Sequence, residues 1–385
     1  MDNKNNNTGQ SDHSFLVLDG GRGIAAISLV LYHYIEYLSN YTAHWMPNIY
    51  LAVELLFMLS GFVLAHTSEK RLLAGQTANQ FMLRRLIRLY PLYFISMTLP
   101  YFLLMTKFLL NGSYFALFSS IGSYLLNIFA LPTPAGFVPT DQSILIMHNN
   151  VYPLNGPAWT LPLLIVTNLI YAVFCRGLTT TRLSLLVFTS ILIYGFALWY
   201  YNYPGMGWGW PHYLGGWSRV MFSFFAGILL YRLFHLKERP KLPSWMGFVL
   251  VIFLIADFTF WPAGRIAAFL NCVILSPLLI WCGAKTKIWE PARRLCAWLG
   301  KTSYAIYIMH MPLLPVLIYL TACLNLDPKI NIPLTVGAYV VSLMAITWLL
   351  DIVYDAPIRS YLRGKLLASH RQPIPNAVTS GVEGG

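Results

Sequence analysis

Long apolar runs recur along the chain, broken by short polar stretches. They fall at about 17–38, 49–66, 89–106, 115–131, 160–175, 183–201, 217–234, 245–261, 264–283, 300–322 and 333–353. Most are about 17–22 residues long, the length a helix needs to cross the hydrocarbon layer of a bilayer. The pattern predicts an all-α integral membrane protein with one transmembrane domain.

Basic residues test which runs cross, because Lys and Arg collect in cytoplasmic loops. With the N-terminus inside and the 115–131 run not crossing, 22 of the 26 Lys and Arg fall on the cytoplasmic side. Only Lys107, Arg219, Arg265 and Lys329 lie outside or near the outer face. If 115–131 crossed, every later loop would change sides and the bias would be lost. The expectation is therefore about ten transmembrane helices, with both termini cytoplasmic. Residues 107–158, with the Pro/Gly-rich "LPTPAGFVPT", become an outer-side or re-entrant segment. Irregular backbone at that depth needs protein or a water-filled cavity around it.

Composition agrees. The 385 residues are 57% hydrophobic and only 10% charged, where a soluble domain carries roughly a quarter charged residues. The net charge of +12 is topology signal in the loops, so no nucleic-acid partner is expected. Five cysteines are scattered without metal-like spacing and read as packing residues. Residues 1–14 and 366–385 are polar and read as disordered, which leaves 15–365 as the membrane domain. No signal peptide is expected, and no internal repeat is evident.

Ionisable side chains inside membrane spans are functional candidates by default. Here they are His33, Glu36, Glu54, Asp257, His310 and Asp351. His33 lies near the outer end of the first span, and Glu54 lies near the outer start of the second. Antiparallel neighbours pack side by side, so the two are expected at similar depth. A carboxylate beside an imidazole suits a general base; a buried pair that only locks two helices is the structural alternative. Arg22 precedes His33 by about 16 Å of helix, at the cytoplasmic mouth. Arg85 and Arg88 share a helix face. With Arg22 they could cradle phosphate, although basic residues at a span's inner end also serve topology alone. A ligand with a phosphorylated head and a long thin arm would join the two ends, and acyl-coenzyme A (acyl-CoA) has that shape.

These motifs resemble the acyltransferase 3 family of integral membrane acyltransferases. The family pattern LDGLRGIAAxxVxxxH appears as "LDGGRGIAAISLVLYH", and its Val-Asp-Leu-Phe-Phe-Val-Leu-Ser-Gly-Phe run as "AVELLFMLSGF", with Glu54 in the Asp position. "RLIRLYP", "PAWTLP", "RVMFSFFAGILLY", "LGKTSYAIYIMHMPL" and "YDAPIR" follow in order. Asp355 stands where a Glu is usual. The resemblance spans about residues 18 to 359 and implies a ten-helix fold. It also implies transfer of an acyl group, often acetyl, from cytoplasmic acyl-CoA to a hydroxyl of a cell-surface or exported polysaccharide. The site would be a multi-pass protein in a bacterial inner membrane. The family's Arg-x10-His pair maps onto Arg22 and His33, and its RxxR onto Arg85 and Arg88.

One departure stands out. The family continues Trp-Ser-Leu-x-x-Glu, whereas this chain reads "WTLPLLIV", with Thr160 for the Ser and Leu164 for the Glu. Asp141 and His148 are candidate substitutes.

The expected assignments are His33 and Glu54 for catalysis, Arg22, Arg85, Arg88 and His310 for the donor, and Arg219 and Trp159 for the acceptor. Acyl-CoA is a co-substrate, and no cofactor or metal is expected. The aromatic loop "YNYPGMGWGWPHYLGGW" at 201–217 suits stacking on sugar rings, though aromatic residues also belt membrane interfaces. Asp351, Asp355 and Arg359 are expected to pair with nearby basic residues. Competing functions are a transporter or flippase, and an inactive homologue that scaffolds a glycan-synthesis complex.

Overall fold

A computed structural model describes residues 15–39, 45–110, 114–135, 137, 150–235, 241–260, 264–323 and 332–367. Asp141 and His148 lie outside the described residues, as do 1–14 and 368–385. Among the described residues the secondary structure is helical, with two isolated β-bridges and no named strand. The helices are α1 (Leu16–Leu38), α2 (Tyr50–Leu73), α3 (Ala78–Leu110), α4 (Tyr114–Ile128), α5 (Thr160–Phe174) and α6 (Thr180–Tyr201). They continue as α7 (Tyr213–His235) and α8 (Met246–Phe260). The last three are α9 (Arg265–Lys285), α10 (Arg293–Cys323) and α11 (Ile332–Leu367).

Among the described residues nine helical segments are long and apolar enough to span a bilayer, α5 counting with its flanking 3-10 turns as Gly156–Gly177. The run at 245–261 folds as the shorter α8, 15 residues long, about 22 Å against a core of about 30 Å. The run at 115–131 folds as α4, also 15 residues. It turns back along α3. The Tyr101 and Tyr124 rings stack at 4.2 Å, and further along the Tyr90 hydroxyl donates to the Ile128 carbonyl at 2.9 Å. That antiparallel path ends at Ala130, where φ is +60°.

Two helix pairs set the frame. Both pack closely because small residues let backbones approach. On α2 and α7, a Cβ added at Gly61 would sit 2.0 Å from the Phe224 carbonyl oxygen, and one at Gly227 would sit 2.0 Å from that of Met58. On α1 and α10, a Cβ at Gly23 would meet Leu299 at 2.5 Å, and one at Gly300 would meet Asp19 at 2.5 Å. Alanine at Gly61 or Gly227 would have to push two backbones apart.

Two helices carry π-helical turns, Asn271–Leu275 in α9 and Asp351–Asp355 in α11. Such bulges re-aim side chains and occur often at functional sites. In α9 the bulge presents the Asn271 amide to both oxygens of buried Asp257, at 2.6 and 2.7 Å. In α11 it places Asp351 and Asp355 on the same basic side chain, Arg359.

Candidate functional site

At the basic end of the bundle, α1, α2, α3, α5, α10 and α11 enclose a cavity of about 570 Å³. Arg22, Arg85 and Arg88 all line it, so the structure brings the three expected donor arginines together. Lys301, Arg359 and Arg363 join them, against Asp19, Asp351 and Asp355. Cations outnumber acids, which favours an anionic occupant.

The arginines are not equivalent. Arg22 is tethered: its Nε donates to Ser303 Oγ at 2.9 Å, Nη2 donates to the Gly300 carbonyl, and Asp19 lies 3.2 Å away. Arg359 bridges Asp351 at 2.8 Å and Asp355 at 3.1 Å, while Lys301 takes the other Asp351 oxygen at 2.6 Å. The expected pairing of these acids with basic residues is thus observed. Arg85 and Arg88 have no acid within ion-pair distance among the described residues, and the Arg85 Nε is buried without a hydrogen-bond partner. Unpaired guanidinium groups facing a cavity are poised for phosphate oxygens.

Away from this end the wall turns apolar, through Val53, Leu56, Phe57, Leu92, Leu161 and Leu164. Leu164 therefore adds hydrocarbon to the cavity in place of the family's carboxylate. At the far end Thr160 and Tyr307 form a ceiling, their hydroxyls 3.2 Å apart. Tyr307 also holds the Pro157 carbonyl at 3.1 Å.

One turn beyond this ceiling sits the histidine pair. α1 and α10 run side by side in the same direction, so Arg22 meets Ser303 at one level and His33 meets His310 at another. The two imidazoles stack with centroids 5.3 Å apart and planes 19° apart. His310 is 1% exposed. Its Nδ1 lies 2.6 Å from the Tyr307 carbonyl, which makes Nδ1 the protonated nitrogen. Its Nε2 is buried without a partner. His310 was expected near the donor; it stands against His33 above the cavity and does not line it.

The expected contact between His33 and Glu54 is not made. His33 instead places Nδ1 3.4 Å from Glu36 Oε2, one turn along its own helix. The Tyr32 hydroxyl holds the other Glu36 oxygen. Glu54 faces away, toward α7. It is fully buried, and Arg219 grips both of its oxygens, at 2.5 and 2.7 Å. Equal depth on neighbouring helices fixes the level of two side chains but not their facing. On α2, Glu54 lies on the face packed against α7.

Arg219, expected on the acceptor side, is turned into the bundle as well. Arg219 is 1% exposed, and beyond Glu54 it donates to the Met206 and Tyr50 carbonyls. Trp159, the other acceptor-side expectation, is 5% exposed and lies under this guanidinium, 5.4 Å from ring to charge. Both residues seat the 201–217 loop: a Cβ at Gly207 would strike the Trp159 ring at 2.3 Å. Exposed aromatic surface in that loop comes instead from Tyr203 and Trp208, whose hydroxyl and indole N–H are 3.2 Å apart.

Comparison with known proteins agrees with this architecture. The Acyl_transf_3 model, described as an acyltransferase domain, matches residues 15–352. A 182-residue stretch is 35% identical to "Protein 2 in picA locus" of Rhizobium radiobacter, covering 46% of this chain and 92% of that protein. No solved structure matches. With the family model covering nearly the whole helical bundle, the chain belongs to the acyltransferase 3 family and is a multi-pass membrane acyltransferase that transfers groups other than amino-acyl groups.

Proposed function

We propose that the protein moves an acyl group, often acetyl, from cytoplasmic acyl-CoA to a hydroxyl of a cell-surface or exported glycan, in a bacterial inner membrane. The observation that carries this reading is the cavity itself. One end holds two unpaired arginines, the middle is hydrocarbon, and the far end stops one helical turn below a histidine pair. That sequence of environments matches a phosphorylated head, a thin arm and a reactive thioester.

In this reading Arg85 and Arg88 take the donor's phosphates, and Arg22 borders them. The arm lies along the apolar wall and reaches His33 past Tyr307. Glu36 orients His33 through Nδ1, and the other ring nitrogen faces the reaction. The acceptor hydroxyl gives its proton to that nitrogen as its oxygen attacks the thioester carbonyl. The C–S bond breaks, the new ester forms, and the thiolate leaves with the proton from His33. The step needs no resident cofactor. The glycan acceptor is supported by the family and by the exposed Tyr203 and Trp208, whose faces suit sugar rings.

Thioester turnover tests the reading. Purified protein with acetyl-CoA and a thiol-reactive dye, water standing in as the acceptor hydroxyl, is expected to release acetate and free CoA, and His33→Ala is expected to stop it in a protein that still melts normally. Equal CoA release by the variant would remove His33 from the chemistry. Mass spectrometry of surface glycans from cells with and without the protein identifies the acceptor.

A further inference from the structure

Asn168 lies on α5, eight residues beyond the ceiling residue Thr160. That is about 12 Å along the helix toward the basic end. It lines the cavity and is 2% exposed. Its Oδ1 is buried without a partner, and its Nδ2 makes no hydrogen bond to a described residue. A buried amide left unpaired in an apolar setting is costly. Swapping the amide's O and N would not relieve it, since neither end is satisfied. Thr167 next to it shows the contrast: its hydroxyl is tied to the Leu163 carbonyl at 2.8 Å.

The surroundings select the partner. Asn168 stands on the same wall as Leu161 and Leu164, between the arginines and the Thr160–Tyr307 ceiling. A phosphate would choose the arginines. A plain hydrocarbon arm would leave the amide unpaired. The group that satisfies both ends at once is another amide, neutral, with one N–H and one C=O, carried on an aliphatic chain.

We propose that Asn168 is a subsite for a secondary amide in the arm of the thioester donor, with Oδ1 accepting its N–H and Nδ2 donating to its C=O. This rests on the acyl-CoA reading, because the pantetheine arm carries such amides between methylene groups. It makes the donor's arm a recognised element and sets how far the thioester rises toward the histidines.

The test uses the full-length protein in lipid nanodiscs. Asn168→Leu keeps the volume and removes the amide. Its Kd for CoA is expected to weaken about tenfold, the size of one net hydrogen-bonded contact. The KM for acetyl-pantetheine is expected to rise similarly. Turnover of S-ethyl thioacetate, which has no amide, is expected to stay unchanged. Asn168→Gln, which shifts the amide by one methylene, should weaken CoA in the same direction and serves if the leucine variant does not fold. Unchanged CoA affinity in the folded variant overturns the subsite while leaving the donor reading intact, as does equal loss with S-ethyl thioacetate. A wild-type protein that fails to bind CoA overturns the donor reading, and the subsite with it.

Discussion

The two arginine sites of this protein show opposite designs. Arg219 on α7 is sealed: Glu54 takes it with both oxygens, two carbonyls take further N–H groups, and Trp159 covers its face. Arg85 and Arg88 on α3 line a cavity with no acid within ion-pair distance of them among the described residues. In a membrane bundle both kinds of charge are expensive. The saturated one has nothing left to offer a ligand and works as a clasp that holds α2, α7 and the 201–217 loop. The unsaturated ones hold reactivity in reserve. Spare hydrogen-bonding capacity, more than charge itself, distinguishes the two.

The histidines bring the largest expected loss. His33→Ala removes the proposed base, so kcat should fall about 10²- to 10⁴-fold, with the melting temperature within error of wild type. A variant that instead loses stability while retaining turnover would move His33 from the site side of the comparison to the scaffold side.

Breaking the clasp should do the reverse. Glu54→Gln or Arg219→Met leaves one buried group uncompensated and should destabilise the fold by about 3–5 kcal/mol. The paired change Glu54→Met with Arg219→Leu should recover much of that loss, as hydrophobic replacements of buried ion pairs often do. Thermal melts in one detergent check both. If the single variants melt normally and only lose acceptor turnover, Arg219 belongs to the site after all.

Arg88→Gln sharpens the other half. It should raise the KM for acetyl-CoA about 10- to 100-fold, the range of a lost charge-assisted bond, and leave kcat close to wild type. Acetyl-pantetheine, which lacks the nucleotide, should be used equally by both proteins. The smallest effect belongs to Arg293→Ala. Its partner Glu290 is one turn away and exposed, and exposed pairs contribute little, so melting temperature and donor KM should both stay unchanged.

Much of this was legible in the sequence, and the rest was hidden for a definite reason. The spans follow from apolar run length. The 115–131 run, placed on the outer side by the basic loops, folds as the short α4 along α3. Arg22 on α1 and Arg85 and Arg88 on α3 meet because all three line one cavity at the basic end of the bundle. Facing was not legible. A run such as "AVELLFMLSGF" is apolar on every side, so nothing in it says that Glu54 points toward α7 and away from α1. The Arg219 partner is 165 residues away, with no local spacing to announce it. Glu36, by contrast, follows His33 at i+3, the spacing of helical neighbours, and that signal was available. Nothing in the sequence singles out Asn168; only the cavity shows a buried Oδ1 without a partner among the described residues.

The side-by-side seating of α1 on α10 has a consequence for how such a protein tolerates change. Gly23 and Gly300 lock the helices at one end, so the rest of α1 inherits its alignment from that contact. Inserting a single residue between Gly23 and His33 would turn the imidazole by about 100° and carry it about 1.5 Å along the axis. The Tyr32 phenol would then occupy the place where the His33 imidazole now stacks on His310. Chain length within this stretch is thus as constrained as the identity of the histidine, and indels here should be lethal to activity even when they leave every polar residue in place.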